Sequence, residues 1–255
     1  VCFLIAAWRV GRRFRWRLAT IAVALACTAF APLSAFSNQS RLFNASFYYT
    51  AIGGALTANA GALIATGVLT LLALMAAVRR LARRRPQGWW ALAVIVIAGL
   101  GPFLLRDLSR GISIPIYGVN PSLWLIWEVP IFLAGCTVLL AGAAAGSAAL
   151  GPDRGLPPWL GPALAVVAAV LAPIAWEASG RWPWWYPLPW IVAIAALALA
   201  RRSLAIVSSA ATVAALGATT LVWGATTRGR MALAESDVRG LSQSLSSAGS
   251  TATDA

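Results

Sequence analysis

The chain has 255 residues, 60% hydrophobic and only 11% charged, with a net charge of +13 and a mean hydropathy of +0.78. This composition excludes a soluble domain and describes an all-α, polytopic membrane helical bundle. The sequence holds neither lysine nor histidine. That removes Schiff-base chemistry, an imidazole base and a histidine phosphoacceptor, and because most arginines cap apolar runs the basicity reports topology, not nucleic-acid binding.

Residues 1–8, VCFLIAAW, are too short to cross about 30 Å of hydrocarbon. They read as the end of a span that begins upstream, or as a short interfacial segment. With the five arginines of Arg9–Arg17 they make up a first region, 1–17, expected in the cytoplasm. Seven spans follow within 18–225. The first, 18–36, leads to SNQSRLFNASFYYTAIGGALTANAG on the far side, a connection carrying Arg41, the aromatics Phe47, Tyr48 and Tyr49, and the pair Gly53 and Gly54. Its Asn44 begins a sequon of the kind that arises by chance.

The second span, 61–78, ends in RRLARRRPQGWW, Arg79 to Trp90, with five arginines in seven residues. Guanidinium groups stay out of hydrocarbon and mark the side of insertion, so this turn is cytoplasmic and sets the sidedness of every other span. The third span, 89–105, carries Gly99, Gly101 and Pro102 and leads to the outer connection RDLSRGISIPIYGVNPS. The fourth is 122–142, followed by the inner turn GPDRGLPPWLG. The fifth, 160–177, and the sixth, 183–200, flank an outer connection rich in tryptophan. The seventh, 204–224, forms a hairpin with the sixth through Arg201, Arg202 and Ser203. Thirteen arginines fall on the inner segments and four on the outer connections, a bias that supports the assignment.

Seven crossings that begin inside end outside, so residues 226–255 are expected to be extracytoplasmic. Met231, Ala234, Val238, Leu241 and Leu245 recur at helical spacing and predict a short amphipathic helix, fraying from Ser246. The expected location is a bacterial inner membrane.

Glu128 is the acid set deep in an apolar run, SLWLIWEVPIFLAGC. A carboxylate there needs a proton or a partner, which makes it a sensing or ion-pair candidate. Arg106 and Arg110 can reach the same depth, with Asp107 as a local partner for Arg106. Trp124 and Trp127 flank the acid, and Pro130 can bend the span toward it. Trp176, Trp182, Trp184, Trp185, Tyr186 and Trp190 crowd one interface as an aromatic belt. Glu177, near Arg181, reads as a solvated helix-end residue. Cys2, Cys27 and Cys136 read as packing residues. Gly142 and Gly146 form a GxxxG step that leaves homodimerisation open. Neither a catalytic motif nor a metal cluster appears, and no cofactor is implied.

At FNASFYYTAIGGALTANAGALI, and again at ALAESDVRGL after the last span, the chain resembles the multi-pass amino-terminal input region of large bacterial sensor histidine kinases. The resemblance implies a sensory module in the lipid bilayer that answers an unknown stimulus, with any kinase activity in downstream sequence. A small-molecule transporter or permease, or a structural subunit of a membrane complex, are the alternatives. A transporter predicts a polar cavity reaching mid-membrane.

Overall fold

A computed structural model describes residues 14–31, 33–81, 88–115, 118–151, 155–176, 182–201 and 204–253. The apolar start and most of the first arginine stretch, the tip of the Arg79–Trp90 turn, and Glu177 and Arg181 lie outside the described residues, as does Cys2. Among the described residues seven α-helices make the fold: α1 (Phe14–Phe30), α2 (Ala60–Leu81), α3 (Trp89–Ser109), α4 (Pro121–Leu150), α5 (Leu160–Ile174), α6 (Pro187–Leu199) and α7 (Leu204–Thr253). Among the described residues there is no strand, and two isolated bridges tie loops together. Four helices, α2, α3, α4 and α7, are long and apolar enough to cross a membrane, while α1, α5 and α6 are shorter apolar helices. The chain is a helical membrane bundle.

The bundle is built around α4, which packs against α2, α3, α6 and α7. Its sequence explains that place, because it is apolar on every side, as a helix surrounded by other helices must be. Asn120 caps its start by accepting from the Leu123 amide at 2.9 Å, and Pro121 occupies the first turn, where a missing N–H costs nothing. The helix runs on to Leu150, eight residues beyond the expected end at 142. The GAAAGSAA stretch offers no stop until Gly151, whose φ of 82° turns the chain out. Gly142 and Gly146 are buried against α6. A Cβ on Gly142 would meet Ile194, and one on Gly146 would run into the Ala198 carbonyl. The GxxxG step is therefore spent on packing inside the chain and does not offer a dimer surface.

Loop contacts sort the connections between two ends. The α1–α2 and α3–α4 connections meet through the Tyr48–Ile112 bridge, with the Tyr49 amide donating to Gly111 at 2.9 Å. The α5–α6 connection lies at the same end, where the Tyr186 hydroxyl donates to the Pro102 carbonyl of α3 at 3.1 Å. At the opposite end, the chain before α5 pairs with the chain before α7 through the Leu156–Ala200 bridge. Helix direction thus alternates through the bundle as the arginine pattern predicts.

α7 departs from expectation. It does not stop near residue 224 and restart as a short tail helix but continues unbroken to Thr253, past the expected fraying at Ser246. Met231, Val238 and Leu241 are 42%, 65% and 65% exposed, so these positions of the stripe are not packed in the core. The side chain of Leu245 lies outside the described residues. Cys136 is in the core as expected, whereas Cys27 is exposed.

Candidate functional site

The connection between α1 and α2 is drawn into the bundle at its middle. Tyr48 is fully buried and its hydroxyl donates to the Leu108 carbonyl at 2.9 Å. Burial pushes the Tyr48 phenol up from its ordinary value, because the phenolate would be far from water. The Phe47 carbonyl accepts from the Trp127 indole N–H at 2.9 Å and from the Ser113 amide at 3.1 Å. Trp127, which flanks Glu128 in sequence, is completely buried and fastens this loop to α4. Trp124 is half-buried and packs at the edge of the core.

Glu128 does not pair with Arg106 or Arg110. Its carboxylate meets the Thr219 hydroxyl of α7, at a half-exposed position on the α4–α7 seam. The Thr219 oxygen also lies 3.0 Å from the Ala215 carbonyl one turn back, and a hydroxyl has a single proton to give. With an ionised carboxylate, Thr219 donates across the seam and releases Ala215. With a protonated carboxyl, Glu128 donates to Thr219 and Thr219 donates to Ala215, so both contacts are kept. Pro130, inside α4 and buried, follows the acid by two residues.

The arginines meet a different partner. Asp107 Oδ1 lies 3.6 Å from Arg106 Nε and 3.0 Å from Arg110 Nη1. Arg106 also stacks on Phe103, 5.1 Å from the ring centre. One acid is thus shared by two cations, and a third approaches from α7: Arg228, whose charge is close enough to feel both. Its guanidinium lies 4.4 Å from the centre of the Trp182 ring, and its Nε donates to the Gly224 carbonyl at 3.3 Å. Sequence reasoning missed Arg228 and Thr219. The first falls in the stretch read as the tail, and the second drew no reading.

The aromatic residues expected to form a belt divide by depth. Trp182 and Tyr186 stand edge to face at 5.0 Å, Trp176 contacts Trp182 at 5.0 Å and Tyr186 at 6.2 Å, and Trp223 of α7 joins at 6.4 Å from Trp176. Trp190 is buried, with its ring against Gly217 of α7. Trp185 is half-buried, and Trp184, 87% exposed, alone of the set projects freely. This cluster encloses only ≈ 30 Å³ between α5, α6 and α7, about one water's worth. It is a packed seam, far below the several hundred Å³ of a small-molecule pocket. No cluster of metal-ligating side chains occurs among the described residues.

The three cations, the shared acid and the aromatic wall lie at the end of the bundle where α7 leaves it. No family model, curated protein or solved structure matches the chain.

Proposed function

We propose that this chain is a membrane-embedded signal-input module, of the kind that precedes bacterial sensor histidine kinases, in a bacterial inner membrane with its carboxyl end extracytoplasmic. The observation that carries the reading is α7. One unbroken helix touches Glu128 through Thr219, faces Arg106 and Arg110 through Arg228, and then runs on with every side chain exposed from Arg230 to Gln243. A change at either contact alters the seat of α7 in the bundle and is carried to the projecting part, because a continuous helix has no joint at which the change is lost. The reading requires two seatings of α7 of similar energy, biased by the stimulus.

Spin labels at Ile52→Cys and Val238→Cys, with the native cysteines replaced by alanine, test the relay by distance measurement in liposomes. The distance distribution is expected to shift in Thr219→Val and in Arg228→Gln. An unchanged distribution in both variants, together with solute uptake that depends on Glu128, would favour a transporter instead.

A further inference from the structure

Arg106, on α3, and Arg110, which caps its end in helical conformation, stand four residues apart and so share a face. Arg228 of α7 lies over the Trp182 ring, and the Tyr186 hydroxyl bonded one turn below Arg106 brings Trp182 to the same corner. Asp107 is the acid that offsets these three guanidiniums. Glu177 and Arg181, outside the described residues, cancel in formal charge, and Tyr186 is neutral. Two positive charges are left in excess at a corner walled by aromatic rings.

Hydrogen bonding is equally one-sided. Arg106 Nε, with Asp107 Oδ1 at 3.6 Å, and Trp182 Nε1 are buried N–H donors with no hydrogen-bond partner among the described residues. Arg228 uses its Nε on its own helix and presents its two terminal nitrogens without an acceptor among the described residues. Buried donors in native proteins are nearly always matched, so this corner calls for an acceptor of several lone pairs and about two negative charges. A carboxylate brings a single charge on two coplanar oxygens. A phosphate group brings up to two charges on oxygens pointing in several directions, which suits guanidinium groups offered from two helices.

Depth agrees with either of two sources. Leu204 to Arg228 covers about 36 Å of helix, more than about 30 Å of hydrocarbon, so Arg228 stands at headgroup level.

We propose that Arg106, Arg110 and Arg228, with the Trp182 indole N–H, bind a phosphate group, carried by an anionic lipid or by a free phosphorylated solute. Binding is read at the site itself, so its failure and a failure of the relay along α7 are separate results. The test uses the full chain in dodecyl maltoside, a detergent without phosphate. Radiolabelled inorganic phosphate binding saturably assigns the site to a free anion. Retention of added phosphatidylglycerol in native mass spectra, over phosphatidylcholine, assigns it to a lipid headgroup. Whichever probe binds, Arg228→Gln and Trp182→Phe are each expected to weaken it about tenfold, and Arg228→Lys to weaken it less than Arg228→Gln. Trp182→Phe keeps the ring that Arg228 stacks on and removes only the donor, so it carries the test if Arg228→Gln does not fold. Wild-type chain that binds neither probe overturns the site, as do Trp182→Phe and Arg110→Gln chains that bind with wild-type affinity.

Discussion

Tyr48 illustrates how one side chain ties a soluble-looking loop into the core of the bundle. Its hydroxyl satisfies a carbonyl at the end of α3, and its ring fills the space between α3 and α4. Tyr48→Phe should cost about 1–3 kcal/mol, the penalty of a buried carbonyl left without its donor, seen as a lower melting temperature with the helical signal intact. Because burial raises the phenol's value in the folded chain, its contribution is complete below about pH 10, the unfolded value, and is lost as pH rises above it. A melting temperature that falls less steeply above that pH in Tyr48→Phe than in wild type would verify the sign. The candidate site was only half legible at this scale. Arg106, Asp107 and Arg110 were found because charges at the end of an apolar run stand out. Thr219 and Arg228 were not, because what makes them matter is contact across about ninety and about fifty intervening residues respectively, and periodicity carries no such information.

At the scale of the element, the starts of α3 and α4 were readable, while the start of α6, expected at 183 and found at Pro187, and several helix ends were not. Asn120–Pro121 and Trp89–Trp90 announce α4 and α3 within a residue of where they begin. α4 overran its expected end because alanine and glycine next to another helix need no polar terminus, and α7 because MALAESDVRGL is mostly good helix formers with no proline to stop them. The small residues in these helices are chosen for contact. On α7, Gly217 receives the Trp190 ring, and on α4, Gly146 lies on the α6 backbone. Gly146→Ala should be destabilising by about 1–3 kcal/mol, since the obstacle is a backbone carbonyl that cannot rotate aside. Gly99→Ala, with nothing within 4 Å of an added Cβ, should melt at or above wild type. Equal melting temperatures for the two would contradict this packing.

For the whole molecule, the alternation of connections and the arginine bias make a prediction about sides that the bundle's own packing does not contain. A cysteine at Val238 should react with a membrane-impermeant maleimide added outside intact cells. One at Arg201, which is exposed at the opposite end, should react only after the membrane is opened. The reverse pattern would invert the topology. The seven helices among the described residues could be counted in advance because most apolar runs are bounded by charge or by tryptophan. What could not be counted was the depth of the α1–α2 connection, whose burial depends on a tyrosine and on the distant Trp127.

The length of α7 has a mechanical consequence. Its 50 residues make a rod of about 75 Å, of which roughly 37 Å lies beyond Arg228. A tilt of about 5° about the Trp182 contact would sweep the free tip through about 3 Å, so a sub-ångström adjustment among the arginines is magnified without any residue of the rod changing shape.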